Sequence, residues 1–181
     1  MSQIGTPNYS LAKFILKFLT PFTINDYTIK DSFAFAKEIT EQDSSLVMAS
    51  LDVDSLFTNI PLDETIDICI NQLYHDSNNK INISKNDFTK LLNLATKESL
   101  FLFDNTYYKQ IDGVSMGFPL GPTLANIFMS YFEKKWLDEC PNEYKPVYYR
   151  RYVDDIFALF SSKDQVEKKK SKIIFYQNIK T

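Results

Sequence analysis

One stretch near the C-terminus, Tyr149-Arg-Arg-Tyr-Val-Asp-Asp-Ile-Phe-Ala-Leu-Phe160, constrains the fold more than any other part of the chain. Residues 148–153 and 156–160 are rich in aromatic and β-branched side chains, which favour β-strands. Asp154 and Asp155 would then form the two-residue connection of a β-hairpin. Aspartate is common in turns because its side chain bonds to its own backbone, so a purely structural role is one interpretation. A hairpin tip is also where rigid strands can present two carboxylates to a cleft.

The chemistry of such a pair sets a requirement. Two carboxylates about 4 Å apart repel by roughly 4 kcal/mol at an effective dielectric constant of about 20. Either one of them takes up a proton or a divalent cation binds between them. Mg²⁺ is bound by one or two carboxylates together with water and substrate phosphates. Two such ions can hold the attacking and leaving oxygens of a phosphoryl transfer. A third carboxylate on a neighbouring strand would therefore favour this chemistry.

Residues 46–53, Leu-Val-Met-Ala-Ser-Leu-Asp-Val, are predicted to form a buried strand with Asp52 near its end. Buried strands do not normally end in an unpaired acid, which favours a functional carboxylate. The segment Asp52-Val53-Asp54 also resembles the start of an EF-hand loop, but Phe57 occupies the position that requires glycine. Asp54 shares the strand parity of Asp52, so the residues alone do not choose between the two as ligands.

Composition indicates a globular protein. The chain has 181 residues, of which 44% are hydrophobic and 15% aromatic, enough for one domain with a core. It contains no apolar run long enough for a membrane span and no secretory signal, and Cys69 and Cys140 are isolated. We therefore expect an intracellular protein, nuclear or cytoplasmic, that is not secreted and has no membrane partner. The net charge of −3 is unusual for a nucleic-acid-binding protein.

Hydrophobic periodicity predicts helices between the strands, and a strand pair is predicted over 101–110. The predicted helices cover residues 10–20, 32–41, 61–75, 84–100 and 123–139. The first begins with Ser10 as its cap; its apolar stripe fits core packing, with a membrane-surface role as the alternative. Ser84 and Asp87 form a capping box. The only histidine, His75, lies at a helix end, which disfavours a histidine-dependent mechanism.

Three of the four glycines are clustered in Gly113-Val-Ser-Met-Gly-Phe-Pro-Leu-Gly-Pro122. Such clustering marks a backbone that turns sharply or is closely approached. The segment either punctuates the loop before a helix or places a helix N-terminus against a phosphate or a base. It is not a P-loop, because no Gly-Lys-Ser/Thr follows. Residues 161–181 are polar and lysine-rich, which predicts a solvated tail.

Taken together, three segments resemble the palm of reverse transcriptases, most closely that of Penelope-like retroelements. They are Leu51-Asp-Val-Asp-Ser-Leu-Phe-Thr-Asn-Ile-Pro-Leu62, Gln110-Ile-Asp-Gly-Val-Ser-Met-Gly-Phe-Pro-Leu-Gly-Pro-Thr-Leu-Ala-Asn126 and Tyr152-Val-Asp-Asp155. Gly5-Thr-Pro and Ile29-Lys-Asp-Ser-Phe33 resemble the segment upstream of that palm. Three ordered boxes at this spacing are far more specific than a Tyr-x-Asp-Asp box alone.

The resemblance implies an α+β fold, a ferredoxin-like antiparallel sheet backed by helices, with partial fingers and no thumb. It implies a single, truncated reverse transcriptase domain over residues 1–181. Within it, residues 1–44 would form a helical lead-in, 45–160 the palm with the three motifs, and 161–181 an incomplete lysine-rich tail. The family's remaining fingers, thumb and nuclease regions would belong to a longer element protein.

The resemblance also implies an RNA-directed DNA polymerase that adds dNTPs to a DNA primer on an RNA template. The cofactor would be two Mg²⁺ ions, with Mn²⁺ as an alternative. The implied catalytic residues are Asp52, Asp154 and Asp155, and the implied metal ligands are Asp52, Val53, Asp154 and Asp155. Phe57, Gln110 and Gly117 would bind the nucleotide, and Met116, Pro119 and Tyr152 the template and primer. A ring at Phe57 would collide with a 2′-hydroxyl, which favours dNTPs.

One departure from the family pattern is Phe118, where relatives have a small residue; its ring is expected to obstruct template or nucleotide. The alternative function is a truncated, catalytically inactive retroelement remnant that keeps the fold and binds nucleic acid. An RNA-templated RNA polymerase is a third alternative, and the aromatic Phe57 argues against it.

Overall fold

A computed structural model describes residues 7–75, 81–98, 100–111, 113–115 and 117–170. The chain forms two compact units. The first contains Met1–Ile24 and Ser55–Tyr131, and the second contains Asn25–Asp54 and Phe132–Thr181. Each unit therefore combines two stretches that are separated in the sequence.

The strands and α-helices follow the predicted order, with two added α-helices, and a short 3₁₀ helix (Thr20–Thr23) follows the first helix. The helices are α1 (Pro7–Leu19), α2 (Ser32–Thr40), α3 (Leu56–Asn59), α4 (Leu62–His75), α5 (Lys85–Lys97), α6 (Gly121–Glu139) and α7 (Lys163–Lys170). The strands are β1 (Val47–Asp52), β2 (Leu100–Phe103), β3 (Thr106–Lys109), β4 (Tyr148–Tyr152) and β5 (Asp155–Phe160). The sequence did not predict the single-turn α3 or the lysine-rich α7. Within the described ranges, none of these helices is both long and apolar enough to cross a membrane.

Helices α1, α4 and α5 pack against one another in the first unit. Apolar residues three or four positions apart form the buried stripe of each helix. In α1, Ala12, Ile15 and Leu19 are fully buried. Phe18 of α1 packs edge-to-face on Phe88 of α5, with ring centroids 5.6 Å apart. These contacts favour the core-packing interpretation of α1 over a membrane-surface role.

Local sequence explains where several elements begin. The side chain of Ser84 accepts a hydrogen bond from the Asp87 N–H at 3.1 Å, which confirms the predicted cap of α5. The β2–β3 turn uses Asp104 and Asn105, whose φ angles are 47° and 56°, as in a type I′ turn. The prediction of Ser10 as a cap was wrong, because α1 already begins at Pro7. Proline is favoured in a first turn, where its missing N–H costs nothing.

The second unit contains an antiparallel sheet with the strand order β1-β5-β4. Residues that pair across neighbouring strands point to the same face. One face carries Ser50, Phe157 and Arg150, which are in register, and the opposite face carries Leu51, Ile156 and Arg151. Because Asp52 pairs with Asp155, both acids belong to the first of these faces.

Helix α2 covers part of the acid-bearing face. Phe35 packs edge-to-face on Phe157, with ring centroids 5.2 Å apart, and Ile39 is half-buried. Phe33, an apolar residue near the start of α2, is 87% exposed. It lies outside the stripe that contacts the sheet, which begins two residues later at Phe35.

A polar cluster also joins α2 to the sheet. Glu38 accepts hydrogen bonds from the Tyr148 hydroxyl at 2.9 Å and from Arg150 Nε at 2.8 Å. The hydrogen bond from Tyr148, followed by that from Arg150, lowers the pKa of Glu38. Burial, together with the hydrogen bond to Glu38, raises the pKa of Tyr148 to about 12. Neutral tyrosine and ionised glutamate are therefore the forms that the fold favours.

The two cysteines lie in contrasting environments. Cys69 is buried in α4, and burial raises the pKa of its thiol to about 12. Cys140 follows α6 and is half-buried. Both thiols are free.

Candidate active site

The acid-bearing hairpin turns at Val153 and Asp154, one residue earlier than predicted. Tyr152 ends β4 and pairs with Asp155, the first residue of β5. Val153 has a left-handed φ of 56°, which is rare for a β-branched residue and costs about 1–3 kcal/mol. A positive φ at the first turn residue alone is the pattern of a type II′ turn, which normally has glycine there. The prediction therefore failed because this turn uses an atypical residue.

Asp52 lies directly opposite Asp155 on the neighbouring strands β1 and β5. The Val53 N–H donates to the Asp154 carbonyl at 3.0 Å. The hydrogen-bonded pair is therefore Val53 with Asp154, and the adjacent pair, Asp52 with Asp155, is a non-hydrogen-bonded pair. Residues in such a non-hydrogen-bonded pair have Cα atoms about 4.5 Å apart and side chains on one face. The structure thus brings two of the three predicted acids side by side, with Asp154 next to them in the turn.

The three acids form a concentration of negative charge. Asp52 and Asp155 are exposed, and Asp154 is half-buried. Among the described residues, no lysine or arginine forms an ion pair with any of them. Like charges directly opposite each other destabilise a sheet. The arrangement is therefore unfavourable for folding unless a bound cation offsets the repulsion between the carboxylates.

The donor atoms of this cluster fit a hard divalent cation. Mg²⁺ prefers carboxylate and carbonyl oxygens, and the aspartates supply the carboxylates. Valine has no side-chain oxygen, so Val53, which is 1% exposed, can offer only its backbone carbonyl. In the part of the chain that the structure describes, no three His, Cys, Asp or Glu side chains are already arranged to hold a metal ion. Binding would therefore draw on side-chain rearrangement and on oxygens from water and substrate, which Mg²⁺ usually retains.

Asp54 is also exposed, but it lies beyond the end of β1. The register between β1 and β5 stops at the Asp52–Asp155 pair. The strand parity expected for Asp54 is therefore not realised, and Asp52 is the acid that faces β5.

A cavity of about 660 Å³ opens on the acid-bearing face of the sheet. Tyr152, Asp155 and Phe157 line it from the sheet, and Lys30 and Phe35 line it from the side of α2. Tyr152 is 56% exposed. The cavity therefore gives solvent access to an aspartate beside an aromatic ring.

Phe57 belongs to α3 and is held by the glycine-rich segment of the same unit. The Val114 N–H donates to the Phe57 carbonyl at 2.7 Å. Gly113 has a φ of 72°, and a Cβ there would lie 2.5 Å from the Thr58 carbonyl oxygen. A Cβ on Gly121 would lie 3.9 Å from Phe57 Cδ1. Close backbone approach, one of the two expected reasons for clustered glycines, accounts for Gly113.

The other residues predicted to bind nucleotide or template lie in or near this segment. Gln110 and Pro119 are half-buried, and Gly117 is exposed with a φ of 85°. Met116 lies outside the described residues. Phe118, expected to be a steric block, is only 3% exposed, so its ring packs in the interior.

A buried ion pair behind the hairpin was not predicted. Arg151 and Glu133 are 1% and 3% exposed and are joined by two N–O contacts of 2.6 and 3.1 Å. The available signal was strand alternation: Tyr152 and Asp155 point to the acid-bearing face, so Arg151 must point to the other. An arginine on a buried face requires an acidic partner.

Comparison with known proteins gives one family match. The sequence profile described as reverse transcriptase (RNA-dependent DNA polymerase) matches residues 7–176. No protein with curated annotation matches the sequence significantly.

Solved telomerase structures share the fold. Apo telomerase from Candida tropicalis, truncated from its C-terminal domain, covers 92% of this chain with a TM-score of 0.63 and 18% identity, over 38% of its own length. Telomerase from Candida albicans, in complex with a TWJ fragment of telomeric RNA, covers 92% with a TM-score of 0.68 and 12% identity, over 33% of its length. The chain thus spans 33–38% of the length of these telomerase chains, and at such identities the likeness concerns the fold alone. Because the family match extends over residues 7–176 and the α+β fold agrees with it, this chain belongs to the reverse transcriptase (RNA-dependent DNA polymerase) family.

Proposed function

We propose that this chain is the palm part of a Penelope-like reverse transcriptase, which extends a DNA primer with dNTPs on an RNA template. The observation that carries the proposal is the Asp52–Asp155 pair, opposed across two strands with Asp154 in the adjoining turn. Such a pair of like charges destabilises the sheet, and metal-dependent phosphoryl transfer is a reaction that requires closely spaced carboxylates.

Asp52, Asp154, Asp155 and the Val53 carbonyl are the proposed ligands of two Mg²⁺ ions, with Mn²⁺ as an alternative. When bound, the ions would stabilise the charge that develops on the attacking and leaving oxygens. The role of the protein is to hold the carboxylates in place before the reaction. Strands β1 and β5 do so through the Val53–Asp154 hydrogen bond, which fixes the turn against the strand that carries Asp52.

The roles proposed for the other residues follow the family pattern. Phe57 would select dNTPs, and the hydrogen bond from the Val114 N–H to its carbonyl restrains the backbone that carries the ring. Gln110 and Gly117 would contribute to the nucleotide site. Met116, Pro119 and Tyr152 would contact template and primer, and the exposed ring of Tyr152 next to Asp155 is compatible with that role.

Nucleic acid is the proposed partner. The Candida albicans telomerase was solved with a fragment of telomeric RNA, and we extend RNA binding to this chain as a proposal. We also propose that residues 45–160 form the palm of one reverse transcriptase domain, with 1–44 as a lead-in and 161–181 as a tail. We further propose that fingers, thumb and nuclease regions belong to the same longer element protein. The proposed location is the nucleus or the cytoplasm.

Primer extension on poly(rA)/oligo(dT) with Mg²⁺ or Mn²⁺ tests the function. We expect the 181-residue chain alone to extend poorly, because a polymerase needs many phosphate contacts and this chain carries a net charge of −3. A misplacement of about 1 Å can cost about 100-fold in rate. The decisive comparison therefore uses a version extended with fingers and thumb regions.

In that extended version, Asp154→Asn should abolish extension, whereas Asp26→Asn, which changes an exposed acid outside the cluster, should leave it unchanged. Extension by Asp154→Asn near the parent rate would refute the assignment of the acids. Binding of primer–template without any extension by the parent would instead support the alternative, an inactive remnant of a retroelement.

A further inference from the structure

The buried Arg151–Glu133 pair contacts the acid-bearing turn. One guanidinium nitrogen of Arg151, Nε, donates to Glu133 Oε1 at 2.6 Å, and Nη2 donates to Oε2 at 3.1 Å. The remaining nitrogen, Nη1, donates to the Val153 carbonyl at 2.9 Å. The planar guanidinium thus joins helix α6 to the first residue of the turn.

The pair is itself held in place. The Tyr149 hydroxyl donates to Glu133 Oε1 at 2.7 Å, which satisfies a carboxylate oxygen already bonded to Arg151. The Arg151 N–H donates to the Tyr27 carbonyl, and the Arg151 carbonyl accepts from the Ile29 N–H, both at 2.8 Å. The backbone and the side chain of Arg151 are therefore both fixed by neighbouring elements.

The turn is consequently clamped from two sides. The Val153 carbonyl is bound by Arg151, and the Asp154 carbonyl is bound by the Val53 N–H of β1 at 3.0 Å. Val153 has a φ of 56°, a conformation that persists only where the surroundings impose it. The two fixed carbonyls belong to the peptide groups on either side of the Asp154 Cα, so together they define the direction in which the Asp154 side chain emerges.

Stability alone does not explain this ion pair. Replacing a buried ion pair with apolar residues of similar volume is often neutral or stabilising. An apolar side chain at position 151, however, has no donor for the Val153 carbonyl.

We propose that Arg151 and Glu133 are positioning residues that hold the Val153–Asp154 turn in the geometry required for divalent-ion binding. The ion-binding part rests on the proposed function, whereas the clamping part does not. Partners of metal ligands typically change metal affinity by about 10–100-fold when they are mutated.

Two variants separate positioning from stability. Arg151→Lys keeps the charge opposite Glu133 but lacks the fork that reaches Val153 at the same time. The double variant Arg151→Met with Glu133→Leu removes both buried charges. The matched control is Arg150→Met, which breaks a half-exposed ion pair with Glu38 on the other face of the sheet.

Amide hydrogen exchange of the full 181-residue chain gives the first readout. The Val53 N–H, bonded to the Asp154 carbonyl, reports on the turn, and the Val147 N–H, bonded to the Leu159 carbonyl at 2.8 Å, reports on the far end of the sheet. We expect exchange at Val53 to become about tenfold faster in both Arg151 variants and to stay unchanged in Arg150→Met, with Val147 unaffected in all. General loosening would accelerate both amides equally and would overturn the proposal.

Mn²⁺ titration of the same proteins gives the second readout. We expect both Arg151 variants to bind Mn²⁺ about 10–100-fold more weakly than the parent, and Arg150→Met to bind like the parent. If the parent itself binds no Mn²⁺, the proposed metal site is refuted. The exchange data then test by themselves whether Arg151 and Glu133 hold the turn in place. Parent-like exchange at Val53 in the folded variants overturns the proposal, as does failure of both Arg151 variants to fold while Arg150→Met folds.

Discussion

Asp52→Asn should make the metal-free chain more stable and weaken its response to divalent ions. Asp52 and Asp155 are a directly opposed pair on one face of the sheet. A cross-strand pair of charges contributes about 0.2–1 kcal/mol, with an unfavourable sign for like charges. Since about 1 kcal/mol shifts the Tm of a protein of this size by about 2–4 °C, we expect a rise of about 0.4–4 °C. The rise should shrink at high salt, because both side chains are exposed and the repulsion is screened.

Thermal unfolding followed by circular dichroism measures this effect. The parent, Asp52→Asn and the control Asp26→Asn are compared with a chelator at low and at high salt, and then with Mg²⁺. Mg²⁺ should raise the Tm of the parent by neutralising the pair and should change that of Asp52→Asn far less. The control, which changes an exposed acid outside the sheet, should behave like the parent.

Two outcomes would refute the reasoning. A metal-free Asp52→Asn chain that is less stable than the parent at low salt would mean that the carboxylate makes a favourable contact. An equal rise in Asp26→Asn would mean that the effect comes from net charge and not from the opposed pair.

Three further predictions concern other residues. Phe57→Val, in the extended polymerase, should increase the ratio of rNTP to dNTP incorporation, while Phe57→Tyr keeps the ring and the parent ratio; an unchanged ratio in Phe57→Val would make the ring a packing residue. Phe118→Ser should destabilise the first unit by about 3–5 kcal/mol in denaturant unfolding, because the ring is buried; a parent-like stability with faster extension would restore the steric-block hypothesis. Tyr148 has a folded-state pKa of about 12, raised from 10.0, so its contribution is complete below pH 10 and is lost as the pH rises to about 12. The parent should therefore lose more stability than Tyr148→Phe across that range, and equal losses would contradict the raised pKa.

Much of the fold could be predicted because periodicity is a local property. Aromatic and β-branched residues on either side of Asp154 and Asp155 predicted two strands, and the apolar stripe of α1 predicted a helix. The resemblance assigned Asp52 to the same site as Asp154 and Asp155, and the register of β1 with β5 puts it opposite Asp155. The hairpin turn was displaced by one residue, since no propensity rule anticipates a valine with positive φ.

Features that depend on distant residues were harder to predict. Arg151 and Glu133 are 18 residues apart in the sequence, and only tertiary packing brings them together. Phe118 looked like an obstruction by comparison with a family pattern, whereas its burial depends on the packing of the whole unit. The three acids could therefore be predicted from the sequence, whereas the residues that surround them could be identified only from the structure.

The contrast between the two cysteines makes the chain suitable for selective labelling without mutagenesis. The thiolate is the form that reacts with maleimides, and with a pKa of about 12 the buried Cys69 is almost entirely protonated at neutral pH. Cys140, which is half-buried and follows α6, is then the residue that accepts a fluorophore in the folded protein. It belongs to the same compact unit as Asp52, Asp154 and Asp155. The slower rate at which Cys69 is modified would then measure the rate at which α4 opens. One reagent would therefore report on both units, first at Cys140 and later at Cys69.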